Sequence, residues 1–240
     1  MFTKAAQSLR LHVSPFFIIR YYMYQDIKKI LESYKFEGKI LDVGCGQKPF
    51  RDLFSSCQRY IGIDFKNYSV NKDFTRTTPD IYFSKDYIRS LALPFKSESF
   101  DNCVSFQVME HHRNPEKMIN EMLRVTKKHG YILITVPFLF GVHEEPNDYQ
   151  RYTKYGLTKL FQNNNCRVIE IKSEGSLAST ISMLLNGYIN YWASKNKFLY
   201  ILCLFVYLPF LFLQYLSLFL DKFIKSEQIV LNYLVVAQKR

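Results

Sequence analysis

Residues 39–46 read KILDVGCG, an apolar run that passes directly into glycines. Ile40, Leu41 and Val43 suit a buried strand, and glycines immediately after it let a ligand come close to the backbone. Open α/β sheets hold their ligands outside the carboxyl ends of the strands, so Asp42, Gly44 and Gly46 are candidate binding residues. A second strand, Tyr60-IGID, ends on Asp64, 20 residues after Gly44. A carboxylate at that place accepts hydrogen bonds from both hydroxyls of a ribose. A dinucleotide site would carry a third glycine three residues after the second, for close helix packing beside the pyrophosphate. That position is Pro49, which favours a nucleoside ligand without a pyrophosphate.

Outward from this centre the pattern continues as α/β. Helix-like spacing of apolar residues runs from Phe16 to Tyr34, before Gly38. Further strands are expected at Asp80-IYFS, Phe100-DNCVSF, Tyr131-ILITV and Cys166-RVIEI. Asn114 and Pro115 form a helix start, Met118, Ile119, Met122 and Leu123 share one face, and Lys127, Lys128 and Gly130 close the helix. The segment Ile229-VLNYLVVA is nearly all apolar and rich in β-branched residues, as suits a strand covered on both sides.

The ordered motifs ILDVGCG, IGID and LPFKSESFDNCVSFQVMEHHRNPEKMINEMLRVTKKHGYILITVPF resemble a class I S-adenosylmethionine-dependent methyltransferase of the methyltransferase-11 type, from about Gly38 to Ile171. The resemblance implies a Rossmann-like α/β fold with a seven-stranded sheet, its last strand antiparallel, and S-adenosylmethionine as cofactor. By position, Asp42, Gly44 and Gly46 would hold the methionine end and Asp64 the ribose. Phe106, Gln107 and Glu110 would follow the fourth strand at the pocket edge; the family usually supplies an acid near the adenine just before LPF, whereas here Asp86 lies seven residues before Leu93, further than that pattern calls for. Glu110-His111-His112 has the residue types of a metal site. Neighbours in sequence do not share a helix face, so no metal is expected and His111 is read as ordering its loop.

After the fifth strand comes Pro137-FLFGVHEEPNDYQRYTKYGLTKLF, a polar cluster of His143, Glu144, Glu145, Asp148, Tyr149 and Arg151 running into a helix from about Thr153. It resembles the HEEPxDYxRYT stretch of a subset of these enzymes associated with cell-envelope saccharides or related lipids. A hydroxyl acceptor needs a base, and histidine, titrating near neutral pH, suits that role. His143 is therefore the first candidate for catalysis, with Glu144 and Glu145 in reserve. The competing reading is that these charges only pin the loop through Arg151.

The charge of +11 admits an anionic substrate or a membrane surface. The basic residues are scattered and no zinc-finger, RNP-like or basic heptad pattern occurs, so nucleic acid is not expected. Five cysteines without a CxxC pair indicate neither a disulfide framework nor a zinc site and fit a reducing cytoplasm. Pro15 to Ile19, stopped by Arg20, is too short for a secretory signal.

The uncharged run of 23 residues from Phe198 to Leu220 would span about 35 Å as a helix, enough for a hydrocarbon core of about 30 Å. A single crossing would separate the last strand from its own sheet, so re-entrant or peripheral attachment at the cytoplasmic face, or a two-span hairpin with Ser176–Trp192, fits better. Pro209 can kink such a run, and Tyr188, Tyr191, Trp192 and Tyr200 suit an interface. A helical cap packed on the sheet or buried in a dimer is the non-membrane alternative. The expected organisation is an N-terminal helical segment (1–37), a methyltransferase domain (38–175 and 226–240) and a hydrophobic helical insertion (176–225). The expected function is methyl transfer to a hydroxyl of a saccharide, glycolipid or other membrane-associated small molecule. The alternative is a non-catalytic, membrane-tethered binding protein that retains the fold.

Overall fold

The computed structural model describes residues 14, 16–66, 78–83, 91–164, 166–193, 195 and 212–240. Asp86, Tyr200, Pro209 and most of the apolar run, 198–211, lie outside the described residues. In chain order the elements are α1 (Phe17–Ser33), β1 (Lys39–Val43), β2 (Arg59–Asp64), β3 (Ile81–Tyr82), β4 (Asn102–Phe106), α2 (Pro115–Val125), β5 (Tyr131–Pro137), α3 (Lys154–Gln162), β6 (Cys166–Glu174), α4 (Leu177–Ala193) and β7 (Asn232–Lys239). Short 3-10 turns occupy Arg51–Phe54 and Met109–His111.

The strands form one seven-stranded sheet ordered β3-β2-β1-β4-β5-β7-β6. β1 pairs in parallel with β2 and with β4, β2 with β3, and β4 with β5. β7 runs antiparallel to β5. The Lys239 carbonyl accepts from His129 N–H (3.2 Å) at one end, and the Leu231 carbonyl accepts from Phe138 N–H (2.8 Å) at the other. The strand order reverses between β1 and β4, and such a switch point opens a crevice at the carboxyl ends of the strands. The glycine turn after β1 and the loop after β4 flank that point.

Continuous apolar runs explain the central strands: Ile40, Leu41, Cys103, Val104, Ile132, Leu133 and Ile134 are fully buried, each large aliphatic side chain stabilising by roughly 1.5–3 kcal/mol. α2 starts where the capping signals put it, with Lys117 N–H donating to the Asn114 side-chain oxygen at 2.9 Å, and Met118, Ile119, Met122 and Leu123 are its buried face. Two strands differ from expectation. Asp80 turns its carboxylate back to Gly62 N–H (2.7 Å), leaving only Ile81 and Tyr82 to pair with β2. The last strand begins at Asn232 rather than Ile229, because Leu231 still serves as a crossing point, donating to the Glu174 carbonyl and accepting from Phe138 and Leu139.

The chain divides into two compact units, one of 26–137, 143–172 and 233–240, the other of 1–25, 138–142 and 173–232. The first contains most of the sheet. In the second, α4 and a helical stretch at 212–220 carry an inverted pattern. Ser179, Thr180, Ser182, Asn186, Gln214, Ser217 and Asp221 are buried, whereas Ile181, Leu184, Leu185, Tyr188, Trp192, Phe212, Tyr215 and Phe219 are exposed. Tyr22 donates to the Asp221 carboxylate at 2.7 Å, and Ser226 N–H donates to the Ser176 hydroxyl, which donates to the Ile224 carbonyl. Among the described residues no helix is long and apolar enough to cross a membrane.

Candidate active site

The turn after β1 is held from both sides. Gly44 has φ +71°, and a side chain there would strike Val108 at 2.5 Å, so the glycine lets the loop after β4 close over the turn. Gly46 has φ +50° with open space where a Cβ would sit, the kind of bare backbone a ligand can lie against. Gly46 N–H donates to Asp64 Oδ2 and Phe65 N–H to Asp64 Oδ1, each at 2.6 Å. Asp64 is 4% exposed and burial, opposed by these two donors, raises its pKa. An ionised carboxylate has about four acceptor positions, so two remain for ribose hydroxyls.

Asp42 lies beneath this turn and is 1% exposed. The Tyr60 hydroxyl donates to its Oδ2 at 2.6 Å, while Oδ1 has no hydrogen-bond partner among the described residues. Burial pushes its pKa up to about 7 against the Tyr60 hydrogen bond. Lys48 and Asp80 complete the support with an ion pair at 2.6 Å; neither was anticipated, since their pairing depends on the short β3 folding back beside the turn. A buried acceptor oxygen, a bare glycine and a carboxylate with spare acceptor positions fit the cationic, ribose-bearing cofactor that the motifs imply.

Of the three residues expected at the pocket edge, Phe106 packs edge-on against Phe50 with centroids 5.0 Å apart. Gln107, at φ +55°, donates from its side-chain amide to the Thr135 hydroxyl (3.3 Å). Both therefore brace the walls at the end of β4.

The loop after β4 meets the polar cluster after β5. Asp148 accepts both arms of the Arg151 guanidinium, at 2.6 and 2.7 Å, and His143 N–H at 3.0 Å. Against burial, which would raise it, these donors hold the Asp148 pKa down to about 2. His143 Nδ1 lies 3.3 Å from Asp148 Oδ2 and 3.4 Å from an Arg151 nitrogen. We assign the proton to Nδ1, facing the nearer, negatively charged group, which turns the Nε2 lone pair inward. Arg151 does pin the loop, and the same pin orients His143. Glu144 and Glu145 are exposed. Glu144 reaches within 3.8 Å of His111, and its charge adds to the raised pKa of Asp64.

Glu110 is the residue whose importance sequence reasoning understated. It is fully buried, neither carboxylate oxygen has a hydrogen-bond partner among the described residues, and burial pushes its pKa up to about 8. His111 Nε2 lies 3.8 Å and His143 Nε2 4.0 Å from its Oε1. His111 Nδ1 also meets the Asn147 carbonyl, in the loop after β5, at 2.8 Å, so it ties that loop to its own. Glu110 and His111 are neighbours on the 3-10 turn Met109–His111, yet their ligand atoms come within 3.8 Å, and His143 joins them from the loop after β5. The sequence signal was the pair of histidine-bearing loops following adjacent strands β4 and β5.

Comparison with known proteins agrees with this geometry. The family described as methyltransferase domain matches residues 41–134. An uncharacterized methyltransferase of Mycobacterium leprae is 33% identical over 111 residues, 44% of this chain and 40% of that protein, so the match spans less than half of that relative's length. An uncharacterized protein of Methanocaldococcus jannaschii is 26% identical over 195 residues, 73% of this chain and 78% of that protein. The fold is also that of a SAM-dependent methyltransferase from Thermotoga maritima, with a TM-score of 0.53 at 14% identity over 94% of this chain and 93% of that one. Residues 41–134 match the methyltransferase-domain family and the seven-stranded sheet has the class I S-adenosylmethionine-dependent methyltransferase fold, whose cofactor the turn after β1 and Asp64 are suited to hold.

Proposed function

We propose that the protein transfers the methyl group of S-adenosylmethionine to a hydroxyl of a saccharide, glycolipid or other small amphiphile at the cytoplasmic surface of a membrane. The bound cofactor supplies a methyl carbon activated by an adjacent sulfonium charge, so the protein has mainly to align the acceptor, exclude water and take up one proton. Asp42, Gly44, Gly46 and Asp64 bind the cofactor, with Phe106 and Gln107 bracing the wall. The acceptor meets the polar cluster after β5, where His143, oriented by Asp148 and Arg151, receives the hydroxyl proton. Glu144, within 3.8 Å of His111, and the exposed Glu145 are the alternative acceptors.

The observation that supports the membrane part of this reading is the inverted pattern of α4 and 212–220, with buried amides and hydroxyls and exposed leucines and aromatics. A helix facing water does the reverse, whereas aromatic and aliphatic side chains outward suit an apolar medium and its interface. The test is to incubate the protein with methyl-labelled S-adenosylmethionine and a lipid-plus-polysaccharide extract from its own cells. Label in the lipid or saccharide fraction supports the reading. Cofactor binding with no label in either fraction would favour the non-catalytic binding protein instead.

A further inference from the structure

We propose that Glu110, His111 and His143 bind one divalent transition-metal ion of the zinc class. Glu110, His111 and His143 each offer a ligand atom, and the three atoms lie within 4.8 Å of one another. Oε1 of Glu110 is 3.8 Å from His111 Nε2 and 4.0 Å from His143 Nε2. Those separations are too long for N–H···O hydrogen bonds of about 2.7–3.2 Å. They approach the roughly 3.4 Å that separates two ligands of a tetrahedral ion with bonds of about 2.0–2.1 Å; with the third separation within 4.8 Å, side-chain shifts of up to about an ångström would close the site.

The orientation of the rings points the same way. The Asn147 carbonyl can only accept, so His111 Nδ1 carries the proton and the lone pair of Nε2 faces Glu110 and, at 3.8 Å, Glu144. In the neutral imidazole this lone pair faces two carboxylates, a place where one cation would be shared by all three groups. Asp148 beside His143 Nδ1 and Asn147 behind His111 Nδ1 are the outer partners that metal-bound imidazoles characteristically have. The buried Glu110 carboxylate, with neither oxygen hydrogen-bonded among the described residues, supplies the anionic ligand. Two imidazoles and one carboxylate form a three-residue set that leaves a coordination position for water.

Ion binding stands apart from the proposed activity; only its role rests on that reading. With the ion bound, His143 would be a ligand, and the ion's water would take over the proton-accepting role that His143 has in the metal-free site. Such an ion would supply a bound water with its pKa lowered to about 7; ionised by loss of a proton to solvent, that water would take up the acceptor's proton. The acceptor oxygen then forms its bond to the methyl carbon as the carbon–sulfur bond breaks, the electron pair passing to sulfur.

The test titrates cobalt(II) or zinc into the full-length protein after chelator treatment, reading the visible bands of four-coordinate cobalt and the stoichiometry by calorimetry. One ion per chain is expected, with affinity falling at least tenfold in Glu110→Gln and in His111→Ala, and unchanged in the remote surface variant His129→Asn. Circular dichroism and S-adenosylmethionine binding monitor folding of each variant. Lack of stoichiometric binding by the folded wild type, or equal binding by folded Glu110→Gln and wild type, overturns the site. Metal binding without methyl transfer would leave the site standing while removing the proposed activity.

Discussion

The imidazoles of His111 and His143 meet edge to face, ring centroids 4.7 Å apart, although one follows β4 and the other β5. Their Nε2 atoms both approach Glu110, so the end of the sheet's middle carries a preorganised polar centre. His143→Ala should lower turnover by about 10²–10⁴-fold, the usual range for losing a group that moves a proton, while leaving S-adenosylmethionine affinity within about twofold of wild type. Steady-state label transfer and calorimetry measure the two effects; unchanged turnover would remove His143 from the chemistry.

The two glycines should respond differently to alanine. Gly44→Ala forces a Cβ into Val108 at 2.5 Å in a left-handed conformation, and should destabilise the protein by about 2 kcal/mol or more. Gly46→Ala meets no atom of the described residues within 4 Å, so it should cost only about 1–2 kcal/mol of backbone strain, yet weaken cofactor binding because the new methyl intrudes on the ligand's space. Thermal melts and cofactor titrations of both variants would expose an error if Gly46→Ala bound cofactor normally.

Asp42 gives a pH dependence with a definite sign. Its folded-state pKa of about 7 exceeds its unfolded value, so the folded apoprotein holds the extra proton between about pH 4 and 7. Its contribution to stability is fully present below the unfolded pKa and is lost as pH rises through about 7. A cationic methionine end prefers the ionised acid, so S-adenosylmethionine affinity should increase as pH passes from 6 to 8. Asp42→Asn should flatten that profile while stabilising the apoprotein above pH 7. Isothermal titration at several pH values decides it, and an identical pH profile in the variant would contradict the assignment.

Much of the sheet could be read directly. β1, β2, β4 and β5 are short apolar runs bounded by glycine, acid or turn residues, and α2 announces both its cap and its apolar face. Those signals are local, involving neighbours one to four residues apart. What escaped reading depends on contacts between distant segments. Lys48 reaches Asp80 because β3 lies beside β2, the truncation of β3 follows from Asp80 turning to Gly62, and Glu110 gains its meaning only when His143 arrives. Gln107 and Phe106 were expected beside a cofactor by position in a motif, whereas their side chains are engaged by Thr135 and Phe50.

The exposed apolar side of α4 predicts association with bilayers. The full-length protein should sediment with anionic lipid vesicles, and replacing Tyr188 and Trp192, which are 62% and 43% exposed, by serine should reduce the bound fraction several-fold. Release of the protein from cell membranes by alkaline carbonate would indicate surface attachment rather than deep insertion. A protein that never sediments with vesicles or membranes would remove the membrane from the proposal.

The cofactor site tests the account most directly. Calorimetric titration of the folded, full-length protein with S-adenosylmethionine should show one binding event per chain, with affinity lowered at least tenfold by Asp64→Ala. Absence of binding to the wild type, or equal binding by the folded Asp64→Ala variant, would contradict it.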